Sequence, residues 1–264
     1  MPLIVCSNST LEYAKSLDGD ILKIEGTPTK EILAFRAKDK IIAVGGGGVI
    51  DAAKIIAANS GIEKIMAIPT TASGAVETSH AVYWNGHKKY SIMTPKPTVK
   101  TVPDLLKTLP RWIIRATSYD ALSHAVESYW SKYATDISKA LALEAYKIIV
   151  GQIRWGYPDL ERLIRGGNLA GKAIEITGTN IVHAISYPLT GYYDIPHGLA
   201  VGLILPIVAK CVNCKLYIPN YDISIKKNYD IGLIAKEAMK YDRIHNAVKD
   251  VTKEQVICIL EELF

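Results

Sequence analysis

The sequence predicts an α/β domain on a parallel sheet, followed by an all-helical domain. Three observations carry this. Short β-rich runs alternate with helical patterns through the first hundred residues, a buried run enters a helix through four glycines at Gly45–Gly48, and helical spacing takes over after about residue 103. At 264 residues the chain has room for one large or two small domains and a real core.

Taken in order, Pro2–Cys6, Ile21–Ile24 and Lys40–Val44 read as strands, separated by short helices at Ser9–Leu17 and Thr29–Ala37. A helix from about Val49 to Ser60 leads to a fourth strand at Lys64–Ile68. The unbroken apolar runs Ile41-Ile42-Ala43-Val44 and Ile65-Met66-Ala67-Ile68 predict strands buried on both faces. Beyond Val102-Pro103-Asp104, helical spacing marks Thr117–Tyr133, Ile137–Ile153, Leu160–Gly178 and Lys253–Leu263. The expected domains are therefore 1–103 and 104–264.

Composition removes several classes. Hydrophobic residues at 49%, charged residues at 22%, 19 Gly and 12 Pro exclude disordered and fibrous chains. The net charge of +5 is spread along the chain and gives no nucleic-acid patch. Gly198–Ala209 is the longest weakly polar stretch, far short of the roughly 18–20 residues of a membrane span. The opening Met1-Pro2-Leu3-Ile4 reads as a strand rather than a signal peptide, so a cytoplasmic protein is expected. Four cysteines are too few for a disulfide framework, and Cys211 and Cys214 read as structural or incidental.

In Ile41–Lys54 the four glycines let backbone N–H groups approach a ligand, while the helix behind them offers its positive end. A phosphate or pyrophosphate is the natural guest; a tight βα turn without ligand is the other reading. Asp51, expected on the first helical turn, could accept a ribose or amide hydrogen bond. Glu25, at the end of the second strand, occupies the place from which such sheets offer a carboxylate to an adenosine ribose, or else it is a solvated loop charge. A carboxylate there repels a 2′-phosphate, which inclines the reading to NAD over NADP.

Asp120 and His124 lie four apart on one helical face, and His183 and His197 both have apolar neighbours. Three imidazoles and one carboxylate suit Fe2+ or Zn2+ and are poor for Mg2+ or Ca2+. Each histidine taken alone reads first as a hydrogen-bonded core residue, and only together do they read as a ligand set.

Five segments together carry a resemblance. Gly45-Gly46-Gly47-Gly48-Val49-Ile50-Asp51-Ala52-Ala53-Lys54, Ile68-Pro69-Thr70-Thr71-Ala72, Asp120-Ala121-Leu122-Ser123-His124-Ala125-Val126-Glu127-Ser128-Tyr129, His183-Ala184-Ile185-Ser186-Tyr187-Pro188-Leu189 and Tyr193-Asp194-Ile195-Pro196-His197-Gly198 look like successive signatures of the iron-containing (group III) alcohol dehydrogenase family. Order and spacing match from about residue 40 to 210. The resemblance implies a dehydroquinate synthase-like architecture, with a dinucleotide-binding α/β domain, a helical metal-binding domain and a cleft between them for NAD(P) and a divalent metal. It assigns the metal ligands to Asp120, His124, His183 and His197, the pyrophosphate loop to Gly45–Gly48 with Asp51, the nicotinamide side to Thr70 and Thr71, and a basic cofactor contact to Lys89. The implied reaction is hydride transfer between nicotinamide and a small alcohol or aldehyde, in a chain that is by default a homodimer.

Departures from the family pattern sharpen the expectations. Gly48 stands where most relatives carry serine, and Tyr187 replaces a histidine often found four residues after the third ligand. Tyr187 is therefore the candidate proton donor, with packing as its other reading. Ser73–Ser79 is a shuffled version of the family's loop and transfers no individual contacts. Lys88-Lys89-Tyr90-Ser91 and Glu127–Ser131 also resemble the phosphonoacetaldehyde reductase branch, which suggests an anionic aldehyde as the alternative substrate. A scaffold that binds nucleotide and metal with weakened turnover is the remaining alternative. Relatives are longer, so the chain reads as a shortened member whose metal and cofactor motifs survive.

Overall fold

The computed structural model describes residues 1–154, 158–221 and 228–264. The first hundred residues hold β1 (Leu3–Cys6), α1 (Leu11–Lys15), β2 (Asp20–Lys23), β3 (Ile41–Gly45), α2 (Gly47–Ser60), β4 (Ile65–Pro69), β5 (His80–Asn85), β6 (Lys88–Met93) and β7 (Thr98–Val99). Five strands form a wholly parallel sheet in the order β2-β1-β3-β4-β7, with Leu3 opposite both Asp20 and Ile41, and Ile41 opposite Ile65. The order reverses between β1 and β3, and in open α/β sheets ligands bind at the carboxyl ends of the strands where it does so. The glycine run leaves β3 at that point.

Helix α2 starts at Gly47, two residues before the expected Val49, because Gly46 takes the extended N-cap conformation. Gly47 and Gly48 thus form the first turn, and Asp51 falls in the second turn rather than the first. The segment expected as a helix at Thr29–Ala37 is a 3-10 turn over Lys30–Ala34. Ile32 is its one buried residue, and a short helix without an apolar face packed on a core is unstable in water. The sheet is also less covered than expected. Helix α2 packs the sheet's main core, while among the described residues the opposite face carries only the small cluster of Ile4, Cys6 and Ala14. Met66 on β4 is consequently 40% exposed.

The β5–β6 hairpin lay outside the sequence reading. Asn85-Gly86 between alternating residues is its signal, and Gly86 takes the positive φ of 59° that a two-residue turn requires.

The remaining helices are α3 (Arg111–Tyr129), α4 (Asp136–Arg154), α5 (Leu160–Thr177), α6 (Ile181–Tyr193), α7 (His197–Cys211), α8 (Ile231–Ala238) and α9 (Lys253–Leu263). Helix α3 runs six residues earlier and ends four residues sooner than the expected Thr117–Tyr133. Pro110 supplies its cap carbonyl to Ile113 and Ile114. At the other end the chain leaves the helix because the Trp130 carbonyl accepts from Val248 and Lys132 donates to Asn246. Side chains cap later helices as their residue types dictate, Asp159 for α5, Asp230 for α8 and a Thr252–Gln255 capping box for α9. Leu122, Ile149, Leu163, Ile181 and Ile204 bring α3 to α7 into one core. From Ala116 to Ser128 helix α3 is buried except at Thr117, which makes it the bundle's central element. No helix among the described residues is long and apolar enough to cross a membrane.

Candidate active site

Helix α3 presents Asp120 and His124 one turn apart, α6 presents His183 in its first turn, and α7 begins on His197. Three imidazole Nε2 atoms converge on one oxygen, Asp120 Oδ1, at 3.6 Å for His124, 3.3 Å for His183 and 3.7 Å for His197. The approach of α7 depends on Gly198, where a Cβ would lie 2.6 Å from the Ala116 carbonyl oxygen of α3. The ligand atoms of Asp120, His124 and His183 all lie within 4.8 Å of one another, and His197 reaches the group through Asp120 Oδ1. Its side chain is 31% exposed, whereas those of His124 and His183 are at most 5% exposed.

Each ring is held from behind. The His124 Nδ1 lies 2.9 Å from the Ser73 carbonyl oxygen, His183 Nδ1 pairs with Glu127 Oε2, and His197 Nδ1 lies 3.4 Å from Ser186 Oγ. An imidazole that donates through Nδ1 turns the lone pair of Nε2 forward.

These residues fit a divalent cation. Asp120 Oδ1 and His183 Nε2 are buried with no hydrogen-bond partner, although they face each other. Donors around a tetrahedral metal at about 2.1 Å lie about 3.4 Å apart, close to the spacing seen here. Charge agrees. Burial opposes ionisation of Asp120, but the surrounding histidines outweigh it and hold the carboxyl well below its usual range. Burial also keeps His124 and His197 neutral, lowering both. For His183 burial opposes protonation, but Glu127 and Asp120 on either side outweigh it and push the ring up to about 10. Two buried carboxylates thus demand a positive charge between them.

The cluster forms part of the lining of a cavity of about 720 Å3, within the range of small-molecule sites. Gly47, Gly48, Asp51, Lys89, Asp120, His124, His183, Tyr187 and His197 all line it, so one cavity gathers candidates from both halves of the sequence. Gly45, Gly46, Thr70 and Thr71 are not among the lining residues. Thr70 is buried, with its N–H on the Gly45 carbonyl. Glu25 is exposed beyond β2, accepts the Asn8 N–H at 2.6 Å and is also absent from the lining. For Asp51, burial raises the carboxyl to about 6, against Lys54, Lys89 and a backbone hydrogen bond from Val82.

Tyr187 is 2% exposed, with its ring 5.8 Å from that of His197. Arg243 donates to its hydroxyl at 3.1 Å and to Thr179 Oγ1 at 3.0 Å. Burial opposes the phenolate, but Arg243 and Lys89 outweigh it and bring the phenol down to about 7. Sequence reasoning missed Arg243, which sits on the 3-10 turn Asp242–Asn246 and carries no local motif. It also left Glu127 without a role, although Glu127 lies on the Asp120–His124 face one turn further on. The structure gives Ser73, in the loop that transferred no contacts, its place behind His124.

Two family models match this chain, iron-containing alcohol dehydrogenase over residues 28–105 and the C-terminal region of the Fe-containing alcohol dehydrogenase family over residues 114–216. The chain belongs to the iron-containing alcohol dehydrogenase family. Members of that family use NAD(P) with Fe2+ or a similar metal. Curated relatives include the lactaldehyde reductase of Escherichia coli (strain K12), 30% identical over 79% of this chain and 61% of the relative. The 1,3-propanediol dehydrogenase of Klebsiella pneumoniae is 33% identical over 77% and 62%, and the NAD-dependent methanol dehydrogenase of Bacillus methanolicus is 33% identical over 64% and 52%. The chain thus spans 61% or 62% of the first two relatives and about half of the third. Among solved structures, 1,3-propanediol oxidoreductase superposes with a TM-score of 0.83 at 24% identity, covering 100% of this chain and 92% of the other. An iron-containing alcohol dehydrogenase from Thermotoga maritima gives 0.80 at 22% identity, covering 99% and 91%. These likenesses show the fold, an α/β parallel-sheet region joined to a helical region.

Proposed function

We propose that the protein is an NAD(P)-linked alcohol dehydrogenase or aldehyde reductase acting on a small aliphatic substrate, with a divalent metal held by Asp120, His124, His183 and His197. The observation that carries this reading is the convergence of three Nε2 atoms on Asp120 Oδ1 in the cavity that Gly47 and Gly48 also line. The relatives named for lactaldehyde, 1,3-propanediol and methanol support a short alcohol or aldehyde. Two domains, residues 1–103 and 104–264, both contribute lining residues to this cavity.

When bound, the metal polarises a carbonyl and the nicotinamide supplies the hydride. The chain does the rest. Gly47, Gly48 and the N-terminus of α2 bind the pyrophosphate through backbone N–H groups. Asp51 accepts a hydrogen bond from the cofactor, and Lys89 binds its anionic part. Tyr187 holds the proton at its phenol oxygen, where Arg243 orients it, and delivers it to the developing alkoxide. Glu25 keeps a weak preference for NAD over NADP, tested by comparing the two cofactors in the wild type and in Glu25→Ser. Free Cys6, Cys211, Cys214 and Cys258 support a reducing compartment such as the cytoplasm. The family resemblance supports a homodimer, tested by sedimentation.

The deciding experiment loads anaerobically purified protein with Fe2+ and follows NADH or NADPH oxidation with a panel of short aldehydes. Turnover with at least one aldehyde, abolished in His124→Ala and His197→Ala together with metal content, is the expected result. Cofactor binding without oxidation by any aldehyde overturns it.

A further inference from the structure

Glu127 is fully buried in the last turn of α3, and its carboxylate is divided between two tasks. Oε1 accepts the backbone N–H groups of Asn180 at 3.1 Å, Val182 at 2.8 Å and His183 at 3.3 Å, the start of α6. Oε2 pairs with His183 Nδ1 and accepts from Ser123 Oγ at 3.2 Å. The same side chain therefore fixes where the first turn of α6 sits and keeps a proton on His183 Nδ1.

We propose that Glu127 is a positioning residue that sets metal affinity by keeping a proton on His183 Nδ1, so that Nε2, on the Asp120 side, is the nitrogen that gives up its proton to a metal. This rests on reading Asp120, His124, His183 and His197 as a metal site. The argument is one of donors and acceptors. Three N–H groups, the Nδ1–H and the Ser123 hydroxyl all donate to this carboxylate, and only an acceptor on both oxygens satisfies them. An amide cannot. With its oxygen toward α6, a glutamine places NH2 against His183 Nδ1, which forces the ring proton onto Nε2 and removes the ligand lone pair. With its oxygen toward His183, the ring stays correct but NH2 opposes the N–H groups of α6, and the helix start is lost.

Glu127→Gln separates the possibilities when Zn2+ affinity is measured by competition with a chromophoric chelator and thermal unfolding is followed on metal-free protein. The expected result is Zn2+ binding weakened about 10- to 100-fold with the unfolding temperature of the metal-free variant little changed. Unchanged affinity with a lowered unfolding temperature makes Glu127 a helix cap alone and overturns the proposal. If both fall, or the variant does not fold, nitrogen-15 histidine spectra of the Zn2+-loaded wild type decide: a proton on His183 Nδ1 supports the proposal and one on Nε2 overturns it. A wild type that takes up no Zn2+ and no Fe2+ instead removes the metal reading itself, and this inference with it.

Discussion

The Lys89 ammonium lies 3.9 Å from the centre of the Tyr187 ring, joining the β5–β6 hairpin to helix α6 at a single phenol. His87 reinforces the junction by stacking on Tyr192, with ring centres 4.6 Å apart. The hairpin thus carries a cation from the sheet side to the histidine cluster. Lys89→Ala is expected to weaken NADH binding about tenfold, the scale of one hydrogen bond to a charged group. Fluorescence titration of NADH measures it, and an unchanged dissociation constant removes Lys89 from the cofactor site.

Tyr187→Phe keeps the ring under Lys89 and beside His197 but removes the hydroxyl that Arg243 orients. Aldehyde reduction is expected to fall about 100-fold in kcat, the lower end of general-acid contributions, with metal content and cofactor affinity retained. Steady-state kinetics check this, and a change below about threefold would make Tyr187 a packing residue.

Gly47 and Gly48 are neighbours with opposite demands. A Cβ at Gly48 would lie 1.9 Å from the Gly26 carbonyl oxygen, whereas nothing lies within 4 Å of one at Gly47. That crowding favours glycine at position 48 in this fold. Gly48→Ser is expected to destabilise by about 1–3 kcal/mol as residues 26 and 27 shift, while Gly47→Ala leaves stability almost unchanged and weakens cofactor binding. Denaturant unfolding of the two variants supplies the comparison, and equal stabilities would contradict the packing account.

Asp51 gives a pH signature. Its carboxyl is raised in the folded protein to about 6 from 3.8, so folding favours the protonated form. The contribution to stability is complete below pH about 4, falls as pH rises to about 6 and is constant above. Asp51→Asn should therefore raise the unfolding temperature relative to wild type at pH 7–8, and the difference should shrink toward pH 4. A difference independent of pH would refute this.

Much of the site was legible because it is written locally. Asp120 and His124 share a helical face by spacing alone, and strand, glycines and helix follow one another in Ile41–Lys54. Glycine tolerates many backbone conformations, so the sequence leaves the start of α2 undetermined and sets Asp51 a turn too early. The sequence pattern of Thr29–Ala37 suits a helix, but only packing decides whether so short a segment becomes one, and Lys30–Ala34 forms a 3-10 turn.

The sequence by itself determined the parallel α/β architecture, the family and the histidine and carboxylate types, since these follow from periodicity and motif order. Tertiary structure decided the partners. Arg243 reaches Tyr187, Ser73 backs His124 and Glu127 divides its oxygens between α6 and His183 through contacts 51 to 56 residues apart in the chain. Hydrogen-bond direction and burial depend on groups within a few ångströms in space, and no local pattern encodes which distant residue the fold will place there.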